Sequence, residues 1–547
     1  MTDATTYNLL DEPWIMALGV GGADRAVSLR EAFKEAGKLR RLAGELPTQD
    51  AAVLRLMLAI LHRALPVEGD EEVRGELWGQ WWADGSVPLG QVLDYLDVWS
   101  DRFDLLDEDA PFFQVADLHT ARGGTSGLRK IIADLPAGHQ FFTNRTGEGA
   151  TWLPMDEAAR WLVHCQAFDV SGIKSGAVGD DRVKGGRGYP IGTGWSGNLG
   201  LVVLEGANLA QTLMLNLALS RDSPDDDAPG WEREPMTATA TGAESARGPA
   251  QAMTWQSRRI RLVRQDDHVT DVLICNGDPM RVRNQHQVET MTAWRRSPAQ
   301  QKKHGEAVVY MPQEHRADRA VWQGLSALLQ ADPIISGAQA GSAQLQAATL
   351  GWTGQMRQLE QLPADAVIVV RTTGLVYGSQ NSVIETSLSD RVALRAEVLR
   401  DEDLQARAVR AAGTADTATR LLSRLAQDIA SAEGRRDSED GAVAREDVLQ
   451  LLDGIFRRWV LSLGERDREE HDAVWQNGVR RECLRLAQEL YAAASPAALR
   501  GREVTRQRGK TIHLDAGLAH LFFTRALDQD IPAAGRPAAA TDGKETA

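Results

Sequence analysis

Residues 170–200 combine glycine with scattered basic side chains, a pattern that could hold a phosphate backbone. From Gly172 to Gly200, counting both ends, ten residues are glycine. Glycine loses the most conformational entropy on folding, so this density indicates flexibility, positive φ angles or a backbone that approaches another molecule closely. On composition alone, a disordered surface loop is the better default. The basic residues that favour a phosphate are Lys174, Arg182, Lys184 and Arg187.

Residues 192–197, Gly-Thr-Gly-Trp-Ser-Gly, have the glycine spacing of a dinucleotide-binding fingerprint. That fingerprint must follow a strand and open a helix. Here a turn-rich segment precedes it, and a strand-like run at residues 199–204 follows it. We therefore reject a dinucleotide site, and a nucleotide-using enzyme has only this spacing in its support.

The sequence lacks the residue patterns of several common catalytic sites. It has no Gly-x-x-x-x-Gly-Lys-Ser/Thr, no His-Glu-x-x-His and no Gly-x-Ser-x-Gly, and its eleven histidines are dispersed. Cys165, Cys275 and Cys483 stand too far apart for a disulfide framework or a zinc-ligand spacing. We therefore expect no catalytic residue, no metal and no cofactor.

The net charge of −15 argues against a protein that coats nucleic acid with its whole surface. Residues 255–305 reverse this balance, with ten Lys or Arg against five Asp or Glu. One positive face on an acidic chain would give this pattern. A solvated face of mixed charge would give it equally well, so charge alone leaves both interpretations open.

The length of 547 residues predicts two or more domains. No apolar run is long enough to span a membrane, and the N-terminus lacks the charged-then-apolar pattern of a signal peptide. We therefore expect a cytoplasmic protein with no membrane partner.

Local patterns predict the elements that must position the glycine-rich stretch. Residues 14–18 and 25–28 flank a glycine turn, which favours a hairpin. Ser28 and Glu31 have the spacing of a capping box, opening a helix that ends near Lys38. The further predicted elements are a buried helix at 51–65, a helix at 156–168 leading into the glycine-rich stretch, paired strands at 258–264 and 269–275, a short strand at 367–371 and a mobile insertion at 223–248.

After residue 385, apolar residues recur three or four positions apart, as in amphipathic helices. We predict an up-and-down bundle of four or more helices, broken at Gly413, Gly434 and Gly464. The fold class is then α+β, with a large mixed α/β N-terminal domain followed by a C-terminal four-helix bundle. The predicted helices are 392–411, 415–433, 443–463 and 473–494, with a further one at 514–527. The predicted domains are 1–385, 386–531 and a disordered tail at 532–547.

Short landmarks follow one another along nearly the whole chain. They are Tyr7-Asn8-Leu9-Leu10-Asp11-Glu12-Pro13-Trp14-Ile15, Pro111-Phe112-Phe113-Gln114, Phe142-Thr143-Asn144, Ser171-Gly172-Ile173-Lys174-Ser175-Gly176, Trp255-Gln256 and Tyr377-Gly378-Ser379-Gln380-Asn381-Ser382. In order and spacing, and with the terminal helices, they resemble the CasA family. CasA is the large subunit of Cascade, the type I-E CRISPR surveillance complex.

This resemblance implies a role without catalysis. Family members recognise the short motif (the PAM) that flanks a double-stranded DNA target, start unwinding for R-loop formation, and dock a helicase-nuclease. The implied partners are target DNA, the 5′ handle of the guide RNA, the backbone, small and handle-binding subunits, and the helicase-nuclease. The guide RNA reads the rest of the target. The alternative is a scaffold subunit that anchors the guide RNA complex without reading DNA.

The resemblance also implies two DNA-contact elements. A glycine loop probes the flanking motif from the minor groove, whose width of ~6 Å favours a backbone with little side chain. A wedge turn forces the first target base pair apart, although such a turn can also be an ordinary one. The matching loop residues are Val170, Ser171 and Gly172, with Lys174 placed to meet a phosphate. The matching wedge residues are Gln380, Asn381 and Ser382.

Two further contacts are implied by the same resemblance. A basic finger lies near Arg281 or Arg283, where relatives carry lysine, and arginine also inserts well into a narrow minor groove. Phe142 and Asn144 match a loop that touches the 5′ handle of the guide RNA and a neighbouring subunit. Adjacent phenylalanines are also common in cores. Since Cys275 stands alone, no zinc site is expected.

Overall fold

The computed structural model describes residues 6–135, 145, 151–219, 224–329, 343–435, 438–465, 467–505 and 511–535. The chain divides into two compact units. The first comprises Met1–Val321 and Ala327–Val392, and the second comprises Trp322–Ser326 and Ala393–Ala547. Most of the tail predicted to be disordered, residues 536–547, lies outside the described residues.

Strands in the described residues form small separate sheets. In chain order they are β1 (Ile15–Gly19), β2 (Asp24–Val27), β3 (Leu39–Leu42), β4 (Ser126–Gly127), β5 (Leu153–Pro154), β6 (Lys174–Ser175), β7 (Arg187–Gly188), β8 (Leu201–Glu205), β9 (Arg258–Gln265), β10 (His268–Asn276), β11 (Trp294–Arg296), β12 (Tyr310–Pro312), β13 (Gln344–Leu345), β14 (Val367–Tyr377), β15 (Ile384–Arg395), β16 (Arg502–Thr505) and β17 (Thr511–Leu514). The pairing orders are β2-β1-β3, β4-β10-β6-β7 with β5 and β9 also on β10, β12-β11-β13, β15-β14-β8, and β16-β17.

Helices alternate with these strands along the chain and make up most of the second unit. In chain order they are α1 (Leu29–Lys34), α2 (Pro47–Ala64), α3 (Glu71–Asp84), α4 (Leu89–Val98), α5 (Met155–Phe168), α6 (Leu209–Asn216), α7 (Pro249–Met253), α8 (Pro298–His304), α9 (Leu325–Leu329), α10 (Ala348–Gln358), α11 (Glu402–Glu433), α12 (Asp440–Leu461), α13 (Arg468–Ala492), α14 (Pro496–Arg500) and α15 (Ala516–Asp530). No helix in the described ranges is both long and apolar enough to cross a bilayer.

Several local predictions for the first unit are confirmed. Strands β1 and β2 form the N-terminal hairpin, and Ser28 and Glu31 make both hydrogen bonds of the capping box. The helix that they open ends at Lys34, and a 3-10 turn continues the chain to Lys38. Helix α2 is buried along nearly its whole length, and β9 pairs with β10 in antiparallel register.

The predicted mobile insertion is wrong for its described part, residues 224–248. Asp227 is fully buried, and its carboxylate accepts the backbone N–H groups of Ala250 (3.0 Å) and Gln251 (2.8 Å) at the start of α7. Trp231 is buried and stacks against the ring of Phe112. An acidic residue at a helix N-terminus satisfies free backbone donors. Asp227 therefore anchors this segment to α7.

The glycine-rich stretch connects two sheets of the first unit. Strand β6, near its start, pairs in parallel with β10. Strand β8 follows its end and pairs with β14, and β14 pairs with β15. Residues 378–383, which contain the predicted wedge, form the connection between β14 and β15. The topology therefore brings the two predicted DNA-contact elements to the same part of the first unit.

The second unit confirms the α+β class but changes the boundaries of the predicted helices. Helix α11 is continuous over 32 residues and passes through Gly413, whereas Val392 belongs to β15. Helices α11, α12, α13 and α15 pack against one another as the four long members of the bundle. Gly434 and Gly464 do end helical segments, with φ angles of +108° and +88°. Gly413 has no such angle, so it interrupts the sequence pattern without breaking the helix.

Replacing Gly413 with alanine is expected to stabilise the second unit by about 0.5–1 kcal/mol, because glycine inside a helix loses more backbone entropy than alanine. The position is exposed, and an added Cβ meets no atom within 4 Å. Urea unfolding, followed by hydrogen exchange in peptides from α11, measures the change. As a matched control, Gly434→Ala should destabilise, because its φ of +108° is one that alanine rarely adopts. A less stable Gly413→Ala variant would contradict the prediction.

Candidate nucleic-acid interface

A buried carboxylate fixes the start of the glycine-rich stretch. Asp169 follows the last residue of α5, and its Oδ2 lies 2.6 Å from Lys174 Nζ and 2.5 Å from Arg258 Nε. The exposed fractions of the Asp169, Lys174 and Arg258 side chains are 5%, 12% and 0%. Burial alone would raise the pKa of Asp169, but the two cations outweigh it and hold that pKa below its usual value. The carboxylate is therefore ionised at neutral pH and holds both cations.

Arg258 also joins two parts of the stretch through its guanidinium group. Its Nη2 donates to the carbonyl oxygens of Val170 (3.0 Å) and Gly192 (2.7 Å). Neighbouring Arg259 is equally buried, and its Nη2 lies 2.6 Å from Asp278 Oδ2. A single positive face made of all ten cations at residues 255–305 is therefore wrong, since these two serve the interior of the first unit.

The structure brings the predicted loop and the predicted wedge into direct contact. The backbone N–H of Ser171 donates to the carbonyl oxygen of Asn381 at 2.8 Å. Ser171 is buried, at 8% exposed, so its side chain faces away from solvent. Gly172 follows with φ +139°, and a Cβ added there would meet no atom within 4 Å. The backbone at Gly172 is thus open, and the residue before it is held by a hydrogen bond to the turn.

The wedge turn is exposed and has an unusual backbone. Gln380 and Asn381 have φ angles of +56° and +55°, in the left-handed region that residues other than glycine seldom adopt. For Gln380 this costs roughly 1–2 kcal/mol, whereas asparagine adopts the region more readily. The turn is closed by the Gly378 N–H, which donates to the Val383 carbonyl oxygen at 3.0 Å, and Gln380 to Ser382 are exposed. The fold therefore holds a strained, outward-facing turn in one conformation.

Tyr377 connects this turn to the end of α5. Its hydroxyl donates to the Phe168 carbonyl oxygen at 2.7 Å, across 209 residues of sequence. Burial of the hydroxyl raises its pKa well above the ordinary value for tyrosine. The motif-based predictions did not identify three positioning residues, which are Tyr377, Asp169 and Arg258. Asp169 carried one signal, an acid between a helix end and a basic glycine-rich stretch.

A cleft of about 340 Å³ lies beside the loop and the turn. Its lining includes Ser171, Gly172 and Ser382, together with Lys130 from the 3-10 turn after β4. Backbone groups, hydroxyls and a cation are the groups that contact nucleic-acid backbones in protein complexes. The surroundings of the loop are therefore chemically suited to a nucleic acid.

Other predicted site residues are not brought to this place by any described contact. Arg283 Nε lies 2.9 Å from Glu306 Oε1, and the exposed Arg281 is held by its backbone N–H, which donates to the Glu244 carbonyl oxygen at 2.7 Å. Phe142 and Asn144 lie outside the described residues. Their predicted contacts stay predictions.

Neither a dinucleotide fingerprint nor a metal cluster is seen in the described ranges. Residues 192–197 lead through a short 3-10 turn, Trp195–Asn198, into β8, so they do not open the helix that the fingerprint requires. Among the described residues, no group of three or more His, Cys, Asp or Glu side chains could hold a metal ion. The cysteines Cys165, Cys275 and Cys483 are unpaired and buried.

A sequence profile described as CRISPR-associated protein Cse1 matches residues 8–486. This chain belongs to the Cse1 family. The resemblance of its landmarks to CasA is thereby confirmed.

Solved and curated relatives agree with this assignment. The crystal structure of Thermobifida fusca Cse1 is 41% identical, covers 97% of this chain and 99% of its own, and superposes with a TM-score of 0.88. The CasA/Cse1 protein of Thermus thermophilus is 34% identical over 274 residues, which is 48% of this chain and 50% of that curated relative. The aligned region thus spans about half the length of the curated relative. A chain of a CRISPR RNA-guided surveillance complex, 16% identical with a TM-score of 0.62 over 89% of this chain and 99% of its own, shares the fold.

Proposed function

We propose that this protein is the large subunit of a type I-E CRISPR RNA-guided complex and recognises the motif flanking a double-stranded DNA target. The observation that carries the proposal is the hydrogen bond between Ser171 and Asn381, which joins the glycine loop to the wedge turn. The Cse1 fold supports it, since a chain of this fold occurs in an RNA-guided surveillance complex.

The loop would read the flanking motif from the minor groove. That groove is only ~6 Å wide, and Gly172 offers a backbone with open space around it. The ion pair of Lys174 with Asp169 fixes the base of the loop. The loop therefore loses little conformational entropy when it binds DNA. Lys174, which the resemblance placed at a phosphate, is held by Asp169 and would instead position the loop, with Val170 and Gly172 nearest to the DNA.

The turn would then open the first base pair. Separating stacked bases costs about a few kcal/mol per step, and a turn held rigidly in place can offset this through contacts with the split strands. Gln380, Asn381 and Ser382 are exposed beside the loop, so binding of the motif would place them at the adjoining pair. The displaced strand and the guide RNA then complete the R-loop, and the guide RNA reads the remaining sequence.

The remaining contacts in the proposal concern partners. Residues 1–385 would carry the DNA and RNA contacts, and the bundle at 386–531 would meet the small subunits and the displaced strand. Arg281 or Arg283 would enter the groove or meet a phosphate, while Phe142 and Asn144 would touch the guide RNA handle and a neighbouring subunit. The backbone and handle-binding subunits and a recruited helicase-nuclease complete the partners. The protein would act in the cytoplasm without catalysis of its own.

The test measures binding of the guide-loaded complex to double-stranded targets, with and without this chain, while the flanking trinucleotide is varied. We expect tight binding that needs both the chain and particular flanking bases. Gly172→Leu should abolish the dependence on the flank, because a side chain would fill the space that the groove requires. Gly22→Leu is the matched control, since Gly22 also has a positive φ and open space but lies in the β1–β2 turn.

In the same assay, Gln380→Gly separates binding from strand opening. Glycine relieves the left-handed strain, so stability should not fall, while a fluorescent base at the first target pair should report less opening. Flank-independent binding by the unmodified complex, or equal binding without this chain, would overturn the reader role and favour a scaffold.

A further inference from the structure

The tip of the hairpin that follows Gly172 has a tightly defined shape. Strand β6 pairs with β7, and the chain reverses between Lys184 and Arg187, whose backbones exchange hydrogen bonds of 3.1 and 3.2 Å. The two residues between them, Gly185 and Gly186, have φ angles of +60° and +74°. Positive φ at both central positions is what a type I′ hairpin turn requires. The glycines therefore place Lys184 and Arg187 directly opposite each other.

The four cations of the glycine-rich stretch divide into an inner and an outer pair. Lys174 forms an ion pair with the buried Asp169 carboxylate. Arg182 Nε lies 2.9 Å from Asp180 Oδ1, and its Nη1 donates to the Gly277 carbonyl oxygen at 2.9 Å, just beyond the end of β10. These two cations hold the hairpin to the first unit.

Lys184 and Arg187 form the outer pair. Both are exposed, and no described carboxylate makes an ion pair with either side chain. Like charges on directly opposite strand residues destabilise a hairpin. The chain as a whole carries a net charge of −15, yet none of its described carboxylates neutralises this pair. An anionic ligand would relieve the repulsion instead.

The position of the pair relative to Gly172 favours duplex DNA as that ligand. Arg187 lies opposite Ser175 in the strand register, about 5 Å away across the strand pair, and Ser175 is three residues from Gly172, at most ~11 Å along an extended chain. The minor groove is about 6 Å wide and about 7.5 Å deep, so a loop at its floor has the phosphates of the rim within about that distance. We propose that Lys184 and Arg187 bind the phosphate backbone of the DNA duplex beside the flanking motif, an inference that rests on the proposed function.

Phosphate contacts have a signature that differs from motif reading. They carry no sequence information, so their loss weakens binding uniformly across flanking sequences. Each neutralised phosphate adds about 0.9 to the slope of log affinity against log salt, which is up to about eightfold in affinity per contact at ~0.1 M salt. Lys184→Gln with Arg187→Gln should therefore lower the slope by about 2 and leave the preference among flanking trinucleotides unchanged.

The experiment uses the guide-loaded complex containing the full chain, with targets of favoured and disfavoured flanks, titrated between about 0.05 and 0.3 M salt. The charge-retaining variant Lys184→Arg with Arg187→Lys should keep the wild-type slope. The double variant Lys34→Gln with Lys38→Gln removes two exposed cations from α1 and the turn after it, and should also keep that slope.

An unchanged slope in the Lys184/Arg187 glutamine variant would overturn the inference. So would a loss of assembly on guide RNA with normal DNA binding by the complexes that do form, because the hairpin would then contact RNA. Failure of the proposed function shows itself separately, as wild-type binding that ignores the flank.

Discussion

Replacing Asp169 with alanine is expected to lower the free energy of unfolding of the first unit by about 3–5 kcal/mol. The change leaves the Arg258 guanidinium, fully buried, and the nearly buried Lys174 ammonium without their carboxylate. An uncompensated buried charge is much more costly than a lost surface pair. Urea unfolding followed by hydrogen exchange in peptides around residues 169–176 and 258–265 measures the loss.

The matched control is Asp318→Ala, because Asp318 pairs with Arg316 at an exposed site. Its expected cost is below about 0.5 kcal/mol. In the guide-loaded complex, Asp169→Ala should also remove the dependence of DNA binding on the flank, since the loop loses its base. Equal effects of the two substitutions would contradict the role given to Asp169.

The Asp169 pair also sets a pH dependence. The pKa of Asp169 in the folded protein lies below its pKa in the unfolded chain. The ionised carboxylate therefore contributes its full stabilisation above about pH 4, and this contribution is lost as the pH falls through the folded-state pKa. The unfolding free energy of the wild type should therefore fall more steeply below about pH 4 than that of Asp169→Ala. Parallel curves in that range would show that the carboxylate is not paired as described.

Glu289→Gln is expected to cost about 3–5 kcal/mol of stability in the first unit. The Glu289 carboxylate accepts hydrogen bonds from both terminal nitrogens of Arg55, in the middle of α2, at 2.8 Å. It also accepts one from Trp195 Nε1, in the glycine-rich stretch, at 2.9 Å. The side chains of Arg55 and Glu289 are 1% and 0% exposed. Glutamine keeps an acceptor for Trp195 but leaves the arginine charge buried without a counterion. The same urea and hydrogen-exchange measurement, read in α2 peptides, reports the loss.

A double variant tests the cause. Arg55→Met alone leaves the Glu289 carboxylate buried without a counterion, whereas Arg55→Met with Glu289→Gln leaves neither charge of this pair buried. The pair should therefore cost less than the sum of the single changes, by about 1–3 kcal/mol. Glu489→Gln, at an exposed pair with Arg485, is the control and should change stability by less than about 0.5 kcal/mol. Additive costs would show that packing, not charge, dominates.

Local sequence patterns determined several elements of this protein. The capping box of Ser28 and Glu31, the N-terminal hairpin and the β9–β10 pair each depend on residues close in sequence, the widest separation being Arg258 opposite Asn276. The order of short landmarks was sufficient to indicate the Cse1 family. The α+β class also followed, because a change in apolar spacing near residue 385 is visible without any long-range contact.

Tertiary structure alone decided what the charged residues of the loop do. Lys174 and Lys184 look alike in the sequence, yet one is turned inward by Asp169 and the other is exposed at a hairpin tip. The bond from Ser171 to Asn381 and the burial of Arg258 depend on segments far apart in the chain. Gly413 lies inside α11 because packing along that helix outweighs a cost of about 1 kcal/mol. Local patterns record the propensity of a segment, whereas the partner of a buried charge is set by which distant segments the fold brings together.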